Sequence, residues 1–181
     1  EASLTGYVSP RGDADLSSFA EPRGGPTAQR LSALAKRFST TVVGPVIERD
    51  GERCFNALAA FGPDGTERFH YRKRHPWYVE TWASAGENAL PVIRVAEREV
   101  TAAICFDIHF IGEGVPKADV LLFASAWVDE DDDARATLLP DFARAHAMSI
   151  VNANWGVGSP RLRGQGGSMV VGKDGAVPTL A

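Results

Sequence analysis

The chain has 181 residues, 44% hydrophobic and 23% charged, which suits one globular domain over 1–181 with a sizeable core and excludes a disordered tail. A net charge of −4 with the signs mixed leaves no basic stripe, which argues against nucleic acid and for a small neutral or polar ligand. Two cysteines, Cys54 and Cys105, are too few for a disulfide framework and point to a reducing, cytoplasmic compartment, and no apolar run approaches the roughly 20 residues of a membrane span.

In chain order, Glu1-Ala-Ser-Leu-Thr-Gly-Tyr7 opens the sequence without an initiator methionine, and the last pattern is the strand-and-turn Ser168-Met-Val-Val-Gly-Lys-Asp-Gly175, so both ends read as cut. From Pro26 to Phe38, Leu31, Leu34, Ala35 and Phe38 fall at i, i+3, i+4 and i+7, which predicts an amphipathic helix with Thr27 as its cap. Thr41–Ile47 and Cys54–Phe61 flank the turn Asp50-Gly51 and predict a hairpin, with Cys54 structural. Pro63-Asp64-Gly65 then turns the chain into a third antiparallel strand, Glu67–Tyr71, which runs straight into Tyr71-Arg-Lys-Arg-His-Pro-Trp77.

After a polar loop through Gly86, Pro91–Val95 and Val100–Phe106 read as two strands about a short turn, with Cys105 at the end of the second. Asp119–Phe123 is another strand, leading to Ser125-Ala-Trp127. The acidic run Asp129–Asp133 reads as the solvated start of a helix reaching about Met148, which Pro140 kinks or divides. Ser149–Asn154 is a strand, followed by a glycine-rich loop from Gly156 to Gly167. Hairpins mixed with strand-helix alternation predict a layered α/β sandwich with no internal repeat and no linker.

Some signals are set aside. His70, His75, His109 and His146 share no metal-ligand spacing, there is no CxxC, and neither metal nor cofactor is expected. Each histidine reads as packing or surface. Gly156-Val-Gly158 and Gly164-Gln-Gly166 precede no clear helix, so a phosphate-cradling loop is not expected, and Arg11-Gly12-Asp13 reads as a turn.

A thiol at a strand end is more often a small buried hydrophobe than a nucleophile. Three segments in order change that weighting. Glu1-Ala-Ser-Leu-Thr-Gly-Tyr7, Tyr71-Arg-Lys-Arg-His75 and Ile104-Cys-Phe-Asp-Ile-His-Phe110 resemble the glutamate, lysine and nucleophile motifs of the carbon-nitrogen hydrolase (nitrilase) superfamily. Framework similarity extends over Arg49-Asp50-Gly51, Asn56, Pro63-Asp64-Gly65, Trp127, Arg144-Ala-His-Ala147 and Gly167-Ser-Met169. Pro76 and Phe110-Ile-Gly-Glu113 depart from the family pattern, and the stretch up to Asp119 is too short and too rich in glycine and proline for a full helix.

The resemblance implies a four-layer αββα sandwich, incomplete at both ends, and a homo-oligomer at full length. It implies Glu1 as general base, Lys73 as catalytic lysine and Cys105 as nucleophile, with the Phe106 backbone N–H helping to hold an oxyanion. It makes Glu80, seven residues after Lys73, an auxiliary acid that orients lysine and substrate, the alternative being a solvated loop carboxylate. Trp127 and Asn154 are placed against the substrate, the alternatives being a cover for the sheet edge and a satisfied turn. Amide carbonyls are poor electrophiles, so such a site must supply a nucleophile, a proton shuttle and oxyanion donors. Nitrile-cleaving members usually carry tryptophan and glutamate after the cysteine; Phe106 and Asp107 here favour a small amide or carbamoyl substrate. Two other readings stay open: a catalytically silent fragment used as an interaction module, and acyl transfer to an amine.

Overall fold

A computed structural model of the chain describes residues 1–128, 134–156 and 166–178. The acidic run at 129–133 and most of the glycine-rich segment, with the expectations attached to them, lie outside the described residues. Two compact units emerge: Ala2–Pro91, and Glu1 together with the described residues from Val92 onward.

The Ala2–Pro91 unit contains β1 (Glu21–Pro22), α1 (Pro26–Phe38), β2 (Val42–Asp50), β3 (Arg53–Phe61) and β4 (Glu67–Arg72), in the sheet order β1-β2-β3-β4. The expected hairpin is present: β2 and β3 pair antiparallel out to Asp50 and Arg53, leaving a two-residue turn in which Gly51 takes the positive φ that such turns require. β3 lies between two neighbours and is buried from Cys54 to Phe61, whereas β4 alternates.

Helix α1 packs on this sheet through Ala28, Leu31 and Ala35, which cluster with Val46, Ala59 and Phe61. Leu34 and Phe38, expected on the same face, are instead 42% and 62% exposed. At 100° per residue Ala28, Leu31 and Ala35 form a narrow stripe; Leu34 falls on its shoulder, and Phe38, in the last turn, lies under the Arg37 guanidinium at 5.3 Å. Thr27 is not the cap. The cap position is Gly25, and the Thr27 N–H is satisfied by Glu21 Oε1 at 2.7 Å. A side chain at Gly25 would place Cβ 2.7 Å from the Pro22 carbonyl oxygen.

The helix-side face of β2 continues past α1 into a polar cluster, since Glu48 shares the face of Val46 by the two-residue period. Glu48, 1% exposed, meets His70 Nε2 at 2.5 Å and Arg72 at 2.5 Å, and Arg72 also reaches Asp50 at 2.8 Å and stacks 3.9 Å from the Phe55 ring centre. Burial pushes the Glu48 carboxyl up, but His70 and Arg72 together outweigh it and hold it down at about 2. His70 is thus a packed residue, one of the two alternatives expected of it.

The second unit contains β5 (Val92–Val95), β6 (Arg98–Ile104), β7 (Val120–Ser125), α2 (Arg135–His146), β8 (Ser149–Asn154) and β9 (Met169–Val171), in the order β5-β6-β7-β8-β9. The inner pairs β6/β7 and β7/β8 are parallel, and the edge pairs are antiparallel. Between β6 and β7 only the short 3-10 turns Cys105–His109 and Gly112–Gly114 form, as the glycines and proline there imply. α2 packs on β8 and β9 and runs through Pro140 as one helix. The buried Pro140 forfeits only the bond to the carbonyl of Ala136, an exposed residue whose oxygen can turn to water. Each unit is therefore a helix on a sheet, and no helix among the described residues is long and apolar enough to cross a membrane.

Candidate active site

Cys105 does not end a strand. β6 stops at Ile104, and Cys105 opens the 3-10 turn with φ +43°, a left-handed conformation that side-chain-bearing residues rarely adopt. The chain thus turns sharply just where β6 leaves the sheet, and the thiol is half-buried. Asp107, fully buried, accepts the Ile104 N–H at 3.1 Å and braces the turn from inside. Phe106 lies in the first turn, where N–H groups have no acceptor within the helix.

Around this turn the second unit gathers aromatic rings. Phe106 makes edge contacts with His109 at 5.3 Å and Phe110 at 5.2 Å, and His109 lies 5.7 Å from Trp127. Partial burial there pushes the His109 imidazole down and favours its neutral form. Trp127 follows β7 and is half-buried, its backbone N–H donating to Asn154 Oδ1 at 2.9 Å. Asn154 ends β8, and both polar atoms of its amide bond within the unit: Oδ1 also accepts from Ser125, and Nδ2 donates to the Gly166 carbonyl. Glu1 is 6% exposed, and its Oε2 accepts the Ala126 N–H at 3.1 Å.

In the Ala2–Pro91 unit, Lys73 follows β4 directly and is 1% exposed. Its N–H donates to the Asn56 carbonyl at 2.8 Å, and its ammonium donates to Glu80 Oε2 at 2.7 Å. Glu80 is 2% exposed, so the solvated-loop alternative does not hold. Its carboxylate accepts from Lys73, from Asn56 Nδ2 at 2.6 Å and from the Trp77 N–H, three donors on two oxygens. The Trp77–Glu80 turn, closed by the Glu80 N–H on the Trp77 carbonyl, brings the acid back to its lysine. Gly86 lets the returning loop cross the end of β4, where a Cβ would lie 2.2 Å from the Arg72 carbonyl oxygen.

Asn152, Ser125 and Arg135 carry no role legible in the sequence, Asp107 is legible only as part of the nucleophile motif, and Asn56 only as framework. Their signal is a polar residue inside a buried run, visible at Asn56 within Cys54–Phe61 but not at Arg135, which begins a helix.

The family model for carbon-nitrogen hydrolases matches residues 1–179. The chain belongs to the carbon-nitrogen hydrolase family. Among curated relatives, this carbon-nitrogen hydrolase is 28% identical over 124 residues to a beta-ureidopropionase of Arabidopsis thaliana, a match covering 62% of this chain and 30% of that protein. It is 31% identical over 114 residues to an omega-amidase of Bos taurus, covering 58% of this chain and 41% of the relative. Among solved structures, XC1258 of Xanthomonas campestris, described as a CN-hydrolase superfamily protein with an arsenic adduct in its active site, superposes with a TM-score of 0.77 at 26% identity. That alignment covers 87% of this chain and 64% of the other. The fold is accordingly that of the carbon-nitrogen hydrolases, the α/β class its motifs imply, and the matches span less than two thirds of each of these relatives.

Proposed function

We propose that the protein hydrolyses a non-peptide C–N bond in a small amide or carbamoyl compound through a thioester on Cys105. The observation that carries this reading is the half-buried Cys105 thiol, held with a left-handed φ on the turn after β6 in a chain of this family: Ser39 and Ala147 take the same φ to close helices, whereas Cys105 takes it where a strand ends on a tight turn, a setting in which such strain is associated with function. Relatives named as a beta-ureidopropionase and an omega-amidase support the carbamoyl and amide classes.

In the proposed reaction Glu1 takes the thiol proton as Cys105 sulfur attacks the carbonyl carbon. The Lys73 ammonium and the Phe106 N–H hold the oxyanion. Collapse breaks the C–N bond, Glu1 returns the proton to the departing nitrogen, and the acyl group stays on sulfur. Water, deprotonated by Glu1, attacks the thioester; the thiol leaves with its proton and the acid is released. Glu80 holds the Lys73 ammonium aimed throughout, as its 2.7 Å contact supports. Trp127 walls the substrate.

The test is turnover of matched small amides, carbamoyl compounds and nitriles, with intact-mass detection of an acyl adduct. Amide or carbamoyl hydrolysis that disappears in Cys105→Ala, with an adduct mapping to Cys105, is expected. Nitrile preference would overturn the substrate class, and Cys105-independent turnover or none at all would overturn the mechanism. Hydroxylamine in place of water reports any acyl transfer as a hydroxamate.

A further inference from the structure

A closed ring of hydrogen bonds lies behind the contact between Glu1 and Ala126. Ser125, the last residue of β7, donates through Oγ to Asn154 Oδ1 at 2.8 Å and accepts from Asn152 Nδ2 at 2.9 Å. Asn154 Oδ1 also accepts the Trp127 N–H at 2.9 Å. Asn154 Nδ2 donates to the Gly166 carbonyl at 2.8 Å, and Arg135 donates to that same carbonyl and to Asn152 Oδ1, each at 3.1 Å. Ser125, Asn152 and Arg135 are each at most 2% exposed. The Asn154 amide has one possible orientation, because the Trp127 N–H can only donate and the Gly166 carbonyl can only accept.

One acceptor atom, Asn154 Oδ1, therefore grips residues 125 and 127, the two that flank Ala126. The Ala126 N–H between them is the group on Glu1 Oε2. A planar amide with two acceptances and a donation also sets the rotation of the peptides around Ala126.

We propose that Asn154 is a positioning residue for the general base: it holds the Ala126 N–H on the Glu1 carboxylate, and Ser125, Asn152 and Arg135 hold Asn154. The inference rests on the reading of Glu1 as base. An N–H donated to a carboxylate favours its ionised form, so release of the clamp raises the pKa of Glu1 and leaves less base available at a given pH.

The experiment is a 13C titration of the full chain labelled at glutamate, with the Glu1 signal identified by its loss in Glu1→Gln. In Asn154→Ala the Glu1 midpoint is expected to rise by about one pH unit, the scale of one charge-assisted hydrogen bond, with a smaller rise in Ser125→Ala. The acid limb of kcat/KM should move with it while KM holds. An unchanged Glu1 midpoint in folded variants overturns the proposal even if their melting temperatures fall, because a merely structural role moves stability alone. Ser125→Ala removes a single hydroxyl and decides the matter if Asn154→Ala does not fold. The titration needs no turnover, so loss of the hydrolase reading through absent Cys105-dependent activity is a separate result.

Discussion

Replacing Glu80 with glutamine tests the internal logic of the buried Lys73–Glu80 pair. Both oxygens of that carboxylate accept from donors: one from Asn56 Nδ2, the other from the Lys73 ammonium and the Trp77 backbone N–H. Glutamine keeps the shape but exchanges one acceptor oxygen for an NH2, which must point at one of those donors wherever it is turned. It also removes the counter-charge 2.7 Å from an ammonium that is 1% exposed. Breaking a buried pair from one side costs about 3–5 kcal/mol, against a total of about 5–15 kcal/mol for a domain. Urea unfolding followed by tryptophan fluorescence should show the midpoint falling by about a fifth or more with m unchanged. The cycle with Lys73→Met separates pair from site: the double variant Lys73→Met, Glu80→Leu should be less destabilised than the sum of its singles by on the order of 2 kcal/mol. A Glu80→Gln cost below about 1 kcal/mol, or strictly additive singles, would refute the claim that the carboxylate is what makes a buried Lys73 tolerable.

Two further outcomes follow from single residues. Cys105→Gly should relieve the left-handed φ and raise stability by about 1 kcal/mol while abolishing acyl-adduct formation; thermal melts and intact mass read the two effects on one sample. Because the Glu48 carboxyl is held at about 2, below its ordinary 4.5, it contributes stability that is fully present above about 4.5 and is lost as pH falls toward about 2. The shift corresponds to about 3 kcal/mol, and Glu48→Gln should flatten the dependence of unfolding free energy on pH across that window, which acid titration of urea midpoints measures.

Much of the fold was legible because its signals are local. The β2–β3 hairpin is written in Asp50-Gly51 between apolar runs, β8 forms over the expected Ser149–Asn154, and α1 spans Pro26–Phe38 as its periodicity requires. The cap of α1 was misplaced because the acceptor for Thr27 is Glu21, which comes from β1, a two-residue strand with no pattern of its own. Leu34 and Phe38 were placed inside because periodicity reports a face and not how far the opposing sheet extends beneath it.

For the site, the sequence alone determined the residue types and their order: an acid at Glu1, a lysine after β4, a thiol after β6, and through them the family. Those are properties of short segments, and each is readable where it stands. Only the tertiary structure decided their states. Sequence neighbours do not announce that Cys105 has left its strand with φ +43°, that Glu80 is buried on Lys73, or that Arg135, Asn152, Ser125 and Asn154 close a ring around the strand ends. These depend on which buried donors find which acceptors across tens of residues, because burial makes an unpaired polar group costly and pairing is settled only when the strands are in register.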